Sequence, residues 1–67
     1  MNNKLLKSKM ALYGDTQRYL ASFLQLSEQR LSMKINGIAM FNQREIKIIS
    51  ERYDLKKSEI ADIFFDD

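Results

Sequence analysis

The chain has 67 residues, room for one domain with one core, near the size at which burial only just outweighs chain entropy. It holds no Cys and no His, which excludes a disulfide framework, a thiolate metal site and the side chain that most often binds metals or shuttles protons near neutral pH. The net charge of +2 is unevenly divided: residues 1–34 carry +4 (Lys4, Lys7, Lys9, Arg18, Arg30 and Lys34 against Asp15 and Glu28) and residues 35–67 carry −2, so the basic half is the candidate face for a polyanion.

Pro is absent and Gly occurs only at Gly14 and Gly37, so helix should dominate. Leu6, Met10 and Tyr13 recur at helical spacing and Gly14 stands where a left-handed C-terminal cap is wanted, which predicts a first helix over 4–13. Thr16 is an N-cap for a second helix, 17–24, with Leu20, Ala21 and Leu24 as its inward stripe. Ser27 caps a third helix, 28–35, in which Leu31 and Ile35 continue the apolar seam until Asn36-Gly37 breaks it. Asn42 and Glu45 approximate a capping box, with Phe41 and Ile46 at the positions of a hydrophobic staple, and open a fourth helix over 43–53. Ile60, Ile63 and Phe64 predict a last short helix, 57–64, whose N-cap near Lys56 is poor.

Two short helices joined by only Gln25, Leu26 and Ser27 cannot run antiparallel at full length, so the second and third must cross steeply, as in a helix-turn-helix. Ala21 is small where the helices approach, Leu26 is apolar where the turn meets the core, and Leu31 is apolar where the third helix docks back. Gly is frequent in such a turn. Gln25 occupies that position here and must adopt left-handed backbone at modest cost.

With Leu31 and Ile35 inward, the third helix presents Glu28, Gln29, Arg30, Ser32 and Met33. These are residue types that read base edges in a major groove: Arg pairs bidentately with guanine, Gln with adenine, Glu accepts from the cytosine amino group, and Met contacts a thymine methyl. Phosphate contacts are expected where helix N-termini offer free N–H groups, at Gln17 and Arg18, at Ser27, and at Asn42, Gln43 and Arg44. Lys34 and Asn36, at the far end of the third helix, are expected to add side-chain contacts to phosphates.

These residues resemble the Cro and CI-type phage repressors within the xenobiotic-response-element family of helix-turn-helix proteins. The likeness rests on Gln17, Leu20-Ala21, Leu26-Ser27, Leu31 and Lys34-Ile35-Asn36-Gly37, followed by Phe41, Glu45-Ile46, Ile49, Leu55, Glu59-Ile60 and Ile63-Phe64-Phe65. That latter pattern looks like small regulators from phages of Gram-positive bacteria. The resemblance implies an all-α, five-helix, lambda-repressor-like domain in which Gln17, Ser27, Glu28, Gln29, Arg30, Met33 and Asn36 meet DNA, usually as a dimer on a palindromic operator. Many members pair an Arg in the first helix with a Glu at the end of the third. Met10 and Ile35 occupy those positions here, so an apolar contact is expected instead.

The expected function is therefore that of a transcriptional regulator binding a double-stranded operator, without cofactor or metal, on the Cro side of a lysis-lysogeny switch because the chain is short. The alternative is an interaction protein that binds a partner CI-type repressor, using Glu28, Met33 and the exposed aromatics Tyr19 and Phe23. Ile63, Phe64 and Phe65 are the expected protein interface, serving a homodimer. An enzyme is not expected, since there is no His, no Cys and no Gly-rich phosphate loop, and the carboxylates are predicted to lie on the surface of the last two helices. No apolar run approaches the roughly 18 to 20 residues that span a bilayer, and the first residues lack a signal-peptide core, so a cytoplasmic protein without membrane contact is expected.

Overall fold

The computed structural model describes residues 2–65. Among them the chain forms five helices and no strand: α1 (Asn3–Leu12), α2 (Gln17–Leu24), α3 (Glu28–Ile35), α4 (Gln43–Arg52) and α5 (Lys57–Ile60), the last continued by a π-helical turn over Ala61–Phe65. The all-α, five-helix class matches the sequence expectation. The last element differs in kind, being a single α-turn that widens into a π-turn instead of an α-helix over 57–64.

Each of the first four helices begins at a side-chain cap. Asn2 Oδ1 accepts from Leu5 N–H at 3.1 Å, Thr16 Oγ1 from Tyr19 N–H at 3.0 Å, Ser27 Oγ from Arg30 N–H at 3.1 Å, and Asn42 Oδ1 from Glu45 N–H at 2.8 Å. Glu45 closes the box by accepting from Asn42 N–H at 2.9 Å. Lys56 cannot cap, and Glu59 compensates in part by accepting from its N–H at 2.9 Å. The same four helices end alike. A left-handed residue follows each, at Gly14 (φ 73°), Gln25 (φ 61°), Gly37 (φ 78°) and Asp54 (φ 49°). Beyond it a backbone N–H reaches back five residues: Asp15 to Met10 O, Leu26 to Ala21 O, Ile38 to Met33 O and Leu55 to Ser50 O, at 2.8–2.9 Å. These are Schellman closures, and they satisfy carbonyls that the helix ends leave free.

The core contains Leu6 and Met10 of α1, Leu20, Ala21 and Leu24 of α2, Leu31 and Ile35 of α3, Ile49 and Tyr53 of α4 and its cap, and Ile63 of the π-turn. Leu26 and Phe41 pack against it, so the connection into α3 and the approach to α4 are both anchored by apolar side chains. Met10 and Ile35, expected to make an apolar contact, are both buried in this one core. Tyr13 departs from its expected inward place: it is exposed, with its ring edge-on to Tyr53 at 5.1 Å. Every buried side-chain nitrogen or oxygen among the described residues has a hydrogen-bond partner. No helix among them is long and apolar enough to cross a membrane.

Candidate nucleic-acid interface

α2 and α3, the expected helix-turn-helix pair, pack on each other across Gln25-Leu26-Ser27. Gln25 takes φ 61° and ψ 38°, the left-handed geometry expected of it, and that single residue redirects the chain within one turn. Leu31, Lys34 and Ile35 point inward, while Glu28, Gln29, Arg30 and Met33 are exposed and Ser32 is half-buried. The expected base-reading face is thus brought together on one side of α3. Gln29, Arg30, Met33, Lys34 and Ala39 line an open concavity of about 350 Å³ along that side.

The expected phosphate contacts divide into three groups. Arg18, Ser27 and Gln43 are exposed and Gln17 is half-buried, all at capped N-termini of α2, α3 and α4 where unpaired N–H groups favour an anion. Asn42, Asn36 and Arg44 are exposed but already engaged: Asn42 in the capping box, Asn36 through its amide to Ser32 Oγ at 3.3 Å, and Arg44 through the turn between α2 and α3. Arg44 Nη2 donates to Gln25 Oε1 at 3.1 Å and Nη1 to Leu24 O at 3.5 Å, which leaves guanidinium N–H groups for a further acceptor.

Lys34 forms the third group, and its expected role must be corrected. It is 6% exposed, with Nζ donating to Glu45 Oε1 at 2.6 Å and Oε2 at 2.8 Å, so its ammonium is committed inside the protein. Glu45 is 2% exposed, which also corrects the expectation that the carboxylates of the fourth helix are superficial. Burial pushes the Glu45 carboxyl up, but the hydrogen bonds from Lys34 and from Asn42 N–H outweigh it and hold the group below its ordinary 4.5. The signal for this pair is present in the spacing: Lys34 stands three residues after Leu31 and beside Ile35, on the buried seam, and Glu45 stands four before Ile49.

The expected interface at the C-terminal end is corrected too. Ile63 is fully buried and Phe64 is half-buried, its ring edge-on to Phe41 at 5.3 Å, because the π-turn rotates both into the core. Of the three expected interface residues, Phe65 is the exposed one, at 67%.

A second polar cluster escaped the sequence reading. Asp15, in the loop between α1 and α2, accepts from Arg52 Nε at 2.6 Å, Arg52 Nη2 at 2.7 Å and Tyr53 OH at 2.7 Å. The Arg52 guanidinium holds the Asp15 carboxyl below its ordinary 3.8; burial opposes this and the Tyr53 hydroxyl adds to it. Burial and the bond to Asp15 push the Tyr53 hydroxyl above its ordinary 10.0. Arg52 also lies over the exposed rings of Tyr19 and Phe23, 5.2 Å and 5.0 Å from their centroids, which stack on each other at 6.5 Å. Asp15 and Arg52 are 37 positions apart, beyond the reach of any local pattern.

No curated protein and no solved structure matches the chain. A family model described as "Protein of unknown function (DUF739)" matches residues 2–67.

Proposed function

The chain belongs to the DUF739 family, and we propose that it is a sequence-specific double-stranded DNA-binding regulator that lays α3 in the major groove. One observation carries the reading. The turn Gln25-Leu26-Ser27 seats α3 on α2 through Leu31 and Ile35, and thereby leaves Glu28, Gln29, Arg30 and Met33 together in solvent. Their donors, acceptors and thioether match the base-edge pattern of a major groove. Around them the N-termini of α2, α3 and α4, with Arg18 and Arg44, form the phosphate-contacting frame, and Asn36 flanks the far end of α3.

The resemblance to Cro and CI-type repressors supports a regulator of the Cro kind, acting as a phage repressor by occupying an operator. On a palindromic site two copies would present two α3 helices about one helical turn apart. Of the expected Ile63-Phe64-Phe65 interface, exposed Phe65 is the residue that supports contact between the copies.

The test is selection from a random duplex pool with the wild-type chain, followed by amide chemical-shift mapping on the duplex recovered. The reading requires a shared motif among recovered duplexes and the largest shifts at residues 27–33. A pool that does not enrich, or shifts centred elsewhere, contradicts it.

A second reading is an interaction protein that binds a partner CI-type repressor and modulates its DNA binding. It draws on the exposed Tyr19 and Phe23 rings held in register by Arg52. Under that reading a repressor co-purifies with the chain, and Tyr19→Ser/Phe23→Ser abolishes the co-purification.

A further inference from the structure

On the reading of α3 as the base-reading helix, we propose that Lys34 and Glu45 are positioning residues: their buried pair is a strut that fixes α3 against the N-terminus of α4. Base reading and phosphate contact then occur at one set spacing. The geometry is specific. A single carboxylate accepts from Lys34 Nζ with both oxygens, at 2.6 Å and 2.8 Å, and Oε1 also accepts from Asn42 N–H at 2.9 Å. The last turn of α3 and the first turn of α4 therefore share one hydrogen-bonded group.

Apolar packing can also hold two helices, and a buried ion pair often contributes no more to stability than an apolar pair of the same volume. What the pair adds is directionality. Leu31 and Ile35 make non-directional contacts that tolerate a small rotation or slide of α3, whereas two short charge-assisted bonds do not. A shift of about 1 Å at α3 displaces Gln29 and Arg30 from bidentate range while the phosphate contacts at Gln43 and Arg44 stay made. The pair is also electrically neutral and internal, so it contributes no attraction to DNA.

Two readouts separate a strut from a direct contact. In Lys34→Met/Glu45→Gln both charges go while the new amide oxygen still accepts from Asn42 N–H. Circular dichroism and thermal melting establish that the variant folds; if it does not, Lys34→Gln/Glu45→Gln takes its place. Affinity is then measured for the selected duplex and a scrambled one at two salt concentrations. A strut predicts that the selected-to-scrambled affinity ratio falls about tenfold or more while the salt slope stays at the wild-type value. An unchanged ratio overturns it, as does a slope shallower by about one unit, which would mean that Lys34 touches a phosphate.

If the wild-type chain itself shows no preference between duplexes, it is the base-reading function that fails. Residual dipolar couplings of α3 and α4 amides, with no DNA present, then decide the strut alone. A changed inter-helix orientation in the variant supports it, and identical couplings overturn it.

Discussion

Arg44, in the first turn of α4, donates to the side chain of Gln25, the left-handed residue that turns the chain from α2 into α3. The bond places the cation beside the turn that sets the direction of α3, and the guanidinium keeps donors for a further acceptor. Arg44→Ala is expected to weaken binding to all duplexes alike and to make the log–log salt slope shallower by about one unit per protomer. Stability should change by less than about 1 kcal/mol, because the group is exposed. A selective loss on the recovered duplex alone would show that Arg44 reads bases.

Asp54 carries the left-handed backbone that closes α4, at φ 49°, and its side chain is exposed. An L-residue is strained there and Gly is not. Asp54→Gly is expected to stabilise the fold by about 0.5–1 kcal/mol in chemical denaturation. Destabilisation would mean that Asp54 has a partner worth more than the strain.

Acid should unfold the protein through its paired carboxylates. Asp15, Glu45 and Glu59 all have folded pKa values lowered from their ordinary 3.8, 4.5 and 4.5. The unfolded chain therefore binds protons first. The stabilising contribution is complete above those ordinary values and is lost as pH falls through the lower folded ones. Urea unfolding free energies should be flat down to about pH 5 and decline below that. In Asp15→Asn the protein should be less stable at neutral pH, with a gentler decline in acid. At the alkaline end Tyr53 behaves in the opposite sense: its raised pKa means that its contribution holds below 10.0 and is lost as pH climbs further. An Asp15→Asn curve parallel to wild type would exclude the Asp15–Arg52 pair as a source of the acid sensitivity.

Ile63 and Phe65 are two residues apart yet should respond oppositely to the same change. Ile63 is fully buried, so Ile63→Asp puts an unpaired carboxylate in the core and should abolish cooperative melting. Phe65→Asp changes an exposed site and should leave monomer stability within about 0.5 kcal/mol. If the wild-type chain sediments as a dimer, Phe65→Asp should bring it to monomer mass. Loss of folding in Phe65→Asp would contradict the packing of the π-turn.

Much of this architecture is legible in the chain because local chemistry and packing agree. Thr16, Ser27 and Asn42 are short polar side chains placed just before apolar periodicity, and each accepts from the N–H three residues on. Gly14 and Gly37 mark left-handed closures, and Gln25 is assigned one because it stands where a helix-turn-helix often carries Gly. Asp54 could not, since nothing but the end of α4 distinguishes it from other surface acids. Lys34 is the instructive failure. A lysine after a base-reading face looks like a phosphate ligand, but its place on the Leu31–Ile35 seam outweighs its charge once Glu45 stands opposite to neutralise it. The Asp15–Arg52–Tyr53 cluster was illegible for another reason: it forms only when the whole chain closes. The π-turn depends likewise on how Ile63 and Phe64 meet the core and Phe41.

The most direct test of the DNA-reading claim is a titration of the selected duplex and a scrambled one at two salt concentrations, with wild type and Gln29→Ala/Arg30→Ala compared. Wild type is expected to bind with a log–log salt slope of roughly −3 or steeper, and the double variant to keep the slope within about one unit but bind both duplexes equally. If wild type binds no duplex even at low salt, or if the double variant discriminates as well as wild type, α3 is not a base-reading helix.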